Sequence, residues 1–108
     1  MIGENGFVLE NGVTLPYTGF GTYKVQDKKI ILTALEAGYR HIDTAATYQN
    51  ETIIGEALQE CQIPRRDLFL TSKVWKTELG YDSTLRSFES SLRNLGVQYL
   101  DLFLIHWP

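Results

Sequence analysis

The chain has few of the residues that would place it among secreted or membrane proteins. It contains a single cysteine, Cys61, so no disulfide can form within it, and a reducing compartment is the simplest expectation. No apolar run approaches the ~18 residues of a membrane span, and the first residues lack the basic and apolar stretches of a secretion signal. We therefore expect a cytoplasmic protein with no membrane partner.

Positive charge is also scarce. Ten lysines and arginines stand against thirteen aspartates and glutamates, a formal net charge of -3 at pH 7. A nucleic-acid binder needs clustered positive charge to neutralise phosphates, so we expect no nucleic-acid partner. Two histidines and one cysteine are too few for the usual zinc ligand sets, and we expect no metal.

What is present is typical of a folded soluble protein. Apolar residues make up 44% and charged residues 21% of the 108 residues, a composition and length that fit one domain. Near the N-terminus, two short alternating runs, 7–9 and 13–15, flank Glu10-Asn11-Gly12. Asn-Gly supplies the positive φ values of a tight turn, so the pattern predicts a β-hairpin.

Three amphipathic helices are predicted after the hairpin. Asp27 and Asn50 are residue types whose side chains cap a first helical turn. The apolar residues of each helix recur at three- and four-residue spacing, so each should bury one face. The predicted apolar faces include Ile30, Ile31, Ala34 and Leu35, then Ile53, Ile54, Ala57, Leu58 and Cys61, then Leu85, Phe88, Leu92 and Leu95. Gly38, Pro64 and Gly96 are expected to end the three helices.

Short extended stretches separate these helices at 17–21, 40–43, 67–73 and 100–106. The last two are continuously apolar in their middles, which is typical of strands covered on both faces of a parallel sheet. Because strand and helix alternate, and because crossovers between parallel strands are almost always right-handed, the strands should run in the same direction.

Ionisable side chains stand at the ends of these strands. Asp43, Lys73 and His106 lie at or next to the carboxyl ends of three apolar runs, and Tyr48 lies in the loop that follows Asp43. Each has an ordinary structural interpretation when taken alone. Their convergence on the edge where parallel α/β folds build active sites favours a functional one. A carboxylate, an ammonium, a phenol and an imidazole form a general acid/base set, since a nearby cation makes a phenol a better proton donor.

Two tryptophans, Trp75 and Trp107, follow at the same edge. Core packing is the ordinary interpretation, but indoles beside polar groups also describe an apolar substrate pocket. His41 alternates with Ile42 and shares a strand face with Asp43, so we expect it either to join a polar layer or to support Asp43.

Known nucleotide-binding motifs are incomplete. Gly19-Phe20-Gly21 begins a dinucleotide fingerprint, but Lys24 stands where the third glycine would be. No phosphate-binding GxxxxGK[ST] motif occurs. A Rossmann-type site is therefore not expected.

Three segments resemble motifs of a known family. The run 38–45, Gly-Tyr-Arg-His-Ile-Asp-Thr-Ala, followed by Tyr48, Glu51 and Gly55, resembles the signature of the aldo-keto reductases. The runs 71–75, Thr-Ser-Lys-Val-Trp, and 104–108, Leu-Ile-His-Trp-Pro, resemble two further motifs of that family. The resemblance extends over nearly the whole chain.

The resemblance implies a (β/α)8 barrel that uses NADPH, or less often NADH, to reduce aldehydes and ketones to alcohols. Tyr48 would then be the general acid that protonates the carbonyl oxygen. Lys73, held by an ion pair with Asp43, would make Tyr48 a stronger acid. His106 would orient the carbonyl by a hydrogen bond.

The resemblance also implies the binding residues. The cofactor contacts would be Gly21, Thr22, Tyr23, Lys24 and Asp43. The small carbonyl substrate would contact Tyr23, Tyr48, Trp75, His106 and Trp107. Tyr23 stands where many members of the family have tryptophan.

A barrel of this type needs ~250 residues, and the predicted strands here number about four. We therefore expect residues 1–108 to be a single partial domain, the N-terminal half of such a barrel with its hairpin. One alternative is a truncated, non-catalytic half-barrel that needs a partner or the missing half and self-associates through exposed sheet edges. Another is a small α/β binding module.

Overall fold

A computed structural model of the protein describes residues 2–106. In that range, strands and helices alternate after a short hairpin, as the sequence predicts. The hairpin strands are β1 (Gly6–Val8) and β2 (Thr14–Pro16). The remaining elements, in chain order, are β3 (Phe20–Gly21), α1 (Lys28–Glu36), β4 (His41–Asp43), α2 (Glu51–Glu60), β5 (Phe69–Trp75), α3 (Tyr81–Leu95) and β6 (Leu102–His106).

The predicted hairpin is confirmed, with residues 10–12 between its two strands. Leu9 N donates to Val13 O at 2.8 Å, which leaves residues 10–12 as the connection. Gly12, with φ of +84°, is the residue of this turn that has a positive φ. The connection is therefore a three-residue loop with glycine in the left-handed conformation.

The larger sheet has the strand order β3-β4-β5-β6, and every neighbouring pair is parallel. The spatial order of these strands equals their chain order, so each helix connects two adjacent strands. Parallel strands in this arrangement bring their carboxyl ends to one edge of the sheet. The prediction of parallel strands is confirmed within residues 2–106.

The hydrophobic core lies between the helices and one face of this sheet. Ile42 of β4 and Leu70 of β5 stand opposite each other in the register and belong to one cluster with buried residues of all three helices. Alternation along a strand then directs residues 41, 43, 71 and 73 to the opposite face. Because the core occupies one face of the sheet, the side chains of the other face are the ones available for a site. The buried helix residues are Ile31, Leu35, Ile54, Ala57 and Leu95.

Some apolar residues expected to be covered are exposed. Ile30 and Leu85 lie at the flanks of their helices and are 46% and 42% exposed. β6 is the outermost strand of the sheet in residues 2–106, and Leu104 and Ile105 are 40% and 64% exposed. The expectation of coverage on both faces therefore holds for β5 but not for β6 in the described range. Within residues 2–106, no helix is both long and apolar enough to cross a membrane.

Candidate active site

The predicted convergence at the carboxyl edge of the sheet is observed for the described residues. Asp43 ends β4, Lys73 lies near the end of β5, and His106 ends β6 opposite Trp75. Asp43 pairs with Thr71, from which Lys73 and Trp75 follow at two-residue steps. These side chains thus share the sheet face that the helices leave free.

Lys73 and Asp43 form an ion pair at this edge. Nζ of Lys73 also donates to the carbonyl oxygen of Thr44 at 3.0 Å. The Lys73 side chain is 14% exposed and that of Asp43 is 41% exposed. A lysine withdrawn this far from water needs a counter-ion, and Asp43 supplies it while keeping part of its surface open.

Tyr48 lies above this ion pair in a 3₁₀ turn, Ala46–Tyr48, that follows β4. The Lys73 ammonium is 5.4 Å from the centroid of the Tyr48 ring. The His106 ring is 5.6 Å from the same ring and nearly perpendicular to it, at 89°. The ammonium, the phenol ring and the imidazole are therefore in one contact group.

His106 stands between two aromatic rings, those of Tyr48 and Trp75; the Trp75 centroid is 5.2 Å away. Its Nδ1 is buried without a hydrogen-bond partner among residues 2–106. A buried polar atom without a partner is uncommon in folded proteins. In the described range Arg65 Nε and Ser91 Oγ share this state, but His106 is the one that lies beside Tyr48.

The end of β3 and the loop after it contain four of the five predicted cofactor contacts, and these four differ in exposure. Thr22 is completely buried; its Oγ1 donates to the Asp43 carbonyl at 3.0 Å and its N–H donates to the same oxygen at 3.1 Å. Its side chain therefore joins the loop to β4 and has no surface for a ligand. Gly21, Tyr23 and Lys24 are exposed, so they are the members that can touch one.

Two residues near this edge have backbone conformations that ordinary side chains avoid. Lys24 has φ of +66° and Gln49, directly after Tyr48, has φ of +60°. Val25 N donates to Thr22 O at 2.9 Å, so Lys24 is the third residue of a tight turn. Left-handed residues other than glycine persist only where their surroundings hold them, and they cluster at functional sites.

Aromatic rings line this edge in a row. Tyr23 is 66% exposed, and its ring lies 5.2 Å from that of Tyr48. The row continues through His106 to Trp75. Of the five predicted substrate contacts, the structure brings these four together. Trp107 lies outside the described residues.

His41 occupies the same sheet face, one step further from the carboxyl edge. Its Nε2 is 2.9 Å from Thr71 Oγ1, and its ring stacks edge-on with Phe69 at 5.0 Å. Burial lowers the pKa of His41, and the positive charge of Lys73 adds to this while Asp43 opposes it. The hydrogen bond to Thr71 supports the interpretation of His41 as part of a polar layer.

Two buried polar residues behind the site were not among the predicted site residues. Asn50 occupies the cap position of α2, as expected, but its side chain makes no capping hydrogen bond. The side chain instead forms hydrogen bonds with Thr22, Val25 and Thr44 in neighbouring segments. Glu51, 4% exposed, accepts a hydrogen bond from Ser72 Oγ at 2.7 Å. The sequence signals were the place of Asn50 at the start of a helix and the place of Glu51 in the motif that resembles the family signature.

Comparison with known proteins places this arrangement in one family. A model of the Aldo/keto reductase family matches residues 18–108. The glyoxal reductase of Bacillus subtilis is 47% identical and aligns with 93% of this chain and 38% of its own length. The glycerol 2-dehydrogenase (NADP(+)) of Saccharomyces cerevisiae is 42% identical over 93% of this chain and 32% of its own length.

A solved structure agrees in three dimensions. The aldo-keto reductase MGS-M4, from a Medee basin deep-sea metagenome library, superposes with a TM-score of 0.91 at 44% identity, over 95% of this chain and 39% of that one. The chain thus spans less than two fifths of the length of these three relatives. Its four parallel strands and their helices correspond to part of a (β/α)8 barrel, and the chain belongs to the aldo-keto reductase family.

Proposed function

We propose that the protein carrying this chain reduces aldehydes or ketones to alcohols with a reduced nicotinamide nucleotide, NADPH in preference to NADH. The observation that carries the proposal is the contact group at the carboxyl edge. There the Lys73 ammonium, paired with Asp43, stands against the ring of Tyr48, which His106 contacts edge-on. When bound, the nicotinamide supplies a hydride to the carbonyl carbon.

Tyr48 is the proton donor in this proposal. As the hydride reaches the carbon, the C=O double bond becomes a single bond, and the oxygen takes the Tyr48 hydroxyl proton. The adjacent Lys73 ammonium favours the phenolate that is left, which makes the transfer easier. Asp43 holds Lys73 in place through the ion pair, and His106 orients the carbonyl by hydrogen bonding.

The residues of the loop after β3 fit a nicotinamide nucleotide. A Cβ built on Gly21 would meet no atom within 4 Å, so space is open in front of this residue. Lys24 offers an exposed cation for an anionic nucleotide, and Asp43 offers a half-exposed carboxylate for hydroxyl groups. The NADP(+) in the name of the yeast relative supports NADPH, and the name of the Bacillus relative supports a small aldehyde as substrate.

Replacement of Tyr48 by phenylalanine tests the proposal in the complete polypeptide that carries this chain. We expect kcat for aldehyde reduction to fall by about 10²–10⁴-fold, because the general acid is lost. The dissociation constant for NADPH, measured by quenching of protein fluorescence, should stay within about twofold. Tyr99→Phe is the matched control, because Tyr99 is 43% exposed and lies before β6, at the opposite, amino edge of the sheet. Turnover retained by Tyr48→Phe would contradict the assignment.

A second candidate is a chain that functions only after association with a partner through its sheet edges. The exposed Leu104 and Ile105 on β6 favour it, because an outer strand with apolar side chains is open to pairing. Sedimentation velocity on the 108-residue chain tests it directly. Concentration-dependent assembly supports this candidate, and a monomer with a cooperative thermal transition argues against it.

A further inference from the structure

We infer that Asn50 is a positioning residue that holds the turn bearing Tyr23 and Lys24 against the segment bearing Tyr48. Its role toward cofactor rests on the proposed function, whereas its role in holding the turn does not. Asn50 is 1% exposed, so it cannot contact a ligand itself. It acts through the residues that it connects.

The side chain of Asn50 connects three segments of the chain. Its Nδ2 donates to the carbonyl of Thr22 at 2.7 Å and to the carbonyl of Val25 at 3.0 Å. Its Oδ1 accepts from Thr44 Oγ1 at 3.0 Å. Thr22 and Val25 are the first and last residues of the tight turn after β3, so a single amide group holds both ends of this turn.

The orientation of this amide follows from its partners. Carbonyl oxygens can only accept hydrogen bonds, so the Asn50 nitrogen must face Thr22 and Val25, and its oxygen must face the Thr44 hydroxyl. Three hydrogen bonds in a buried place are costly to lose, since each abandoned carbonyl stays desolvated. Aspartate at position 50 would have the same shape but would present acceptors to both carbonyls.

The same residue leads to the proton-donating group. Thr44, which bonds to the Asn50 side chain, offers its carbonyl oxygen to the Lys73 ammonium. Tyr48 lies two residues before Asn50, with the left-handed Gln49 between them. Asn50 thus lies where the turn with Lys24, the strand end with Thr44 and the start of α2 meet.

A helix cap is the alternative role, and the structure separates the two. The backbone carbonyl of Asn50 accepts from Ile54 N at 3.1 Å, which starts α2 without the side chain. The Ile54 amide is therefore an internal reference for the helix, and the Val25 amide, which donates to Thr22 O, reports on the turn.

Residue-resolved amide hydrogen exchange tests the inference in the complete polypeptide. In Asn50→Asp we expect the Val25 amide to exchange about tenfold faster or more, and the Ile54 amide to change by less than about threefold. Asn50→Ala, which adds no charge, should show the same changes in exchange at Val25 and Ile54. This variant keeps the test valid if Asn50→Asp fails to fold. Ser72→Ala is the control, because it removes a buried hydrogen bond at the same helix start without touching the turn. In Ser72→Ala, the exchange rate of the Val25 amide should stay within about threefold of its rate in the unaltered protein.

Cofactor titration completes the test. We expect the dissociation constant for NADPH to rise about fivefold or more in both Asn50 variants, because the binding loop must be ordered on binding. Equal acceleration of Val25 and Ile54, or acceleration of neither, would overturn the inference. So would a selective effect on Val25 with unchanged NADPH affinity. If the unaltered protein binds no NADPH while Val25 still accelerates selectively, the proposed function fails and the role of Asn50 in the turn stands.

Discussion

Two ion pairs lie at opposite ends of the parallel sheet, and their surroundings differ. At the amino edge, Arg65 pairs with Asp101 at 2.8 Å, just before β5 and β6 begin. At the carboxyl edge, Lys73 pairs with Asp43. Each pair joins residues about 30 or more positions apart in the chain. They differ in what else their members contact.

The amino-edge pair has several structural partners, although Arg65 Nε is buried without a hydrogen-bond partner in the described range. Arg65 donates to the carbonyls of Leu68 and Tyr99, each at 2.9 Å, and its guanidinium lies 3.9 Å from the Tyr99 ring. Asp101 Oδ2 also accepts from Leu70 N at 2.8 Å. This pair ties two strands together at their starts.

The carboxyl-edge pair has few further partners, and its neighbours are reactive groups. Lys73 has one further acceptor, the Thr44 carbonyl, and stands against Tyr48. The adjacent His106 has a buried Nδ1 without a partner in the described range. The amino-edge pair thus bonds several backbone groups at the strand starts, whereas the carboxyl-edge pair stands beside the phenol and the imidazole that carry the proposed chemistry.

The largest expected effect comes from Lys73→Met. We expect kcat/KM for aldehyde reduction to fall by about 10²–10⁴-fold, because Tyr48 loses the cation that assists its proton transfer. Stability should change by less than about 1 kcal/mol, since the Asp43 left behind is 41% exposed. Steady-state kinetics and urea unfolding of the complete polypeptide measure both, with Lys29→Met as an exposed-lysine control. A large loss of stability with normal kinetics would show that the Lys73–Asp43 pair is structural, like the Arg65–Asp101 pair.

Arg65→Met should give the opposite result. We expect a loss of about 3 kcal/mol in the free energy of unfolding, the low end for a broken buried pair, since the Arg65 side chain is 22% exposed. The kcat/KM of the folded protein should be unchanged. Arg66→Met controls for the removal of charge, because Arg66 is exposed. Urea unfolding measures the loss of stability, and equal midpoints for Arg65→Met and Arg66→Met would show that the amino-edge pair is not structural.

The smallest effect concerns His41, which lies between the two edges. Burial lowers its pKa in the folded protein, so the unfolded chain takes up a proton first as the pH falls. The contribution of His41 to stability is fully present above its pKa in the unfolded chain, about 6.5, and is lost as the pH falls below that value. His41→Gln should flatten the dependence of unfolding free energy on pH in this window. Parallel profiles for the two proteins would contradict a protonation penalty at His41.

Much of the fold could be predicted from spacing alone. Asp27 caps α1 through a hydrogen bond from Lys29 N at 2.9 Å, a contact between residues two positions apart. Gly96 ends α3 in the left-handed conformation, with φ of +68°. Such contacts are local, so the residues that make them are visible in the sequence. The exposure of Ile30 and Leu104 was not predicted, because it depends on which elements pack beside them.

The sequence by itself determined the alternation of strands and helices, and with it the convergence of Asp43, Tyr48, Lys73 and His106. Parallel strands leave no other edge for residues that follow their carboxyl ends. Only the tertiary structure decided the partners of Asn50, a residue typical of a helix cap. Packing brings the carbonyls of Thr22 and Val25, 28 and 25 positions away, within reach of its amide. A buried amide bonds the acceptors that the folded loops present, and sequence spacing carries no record of them.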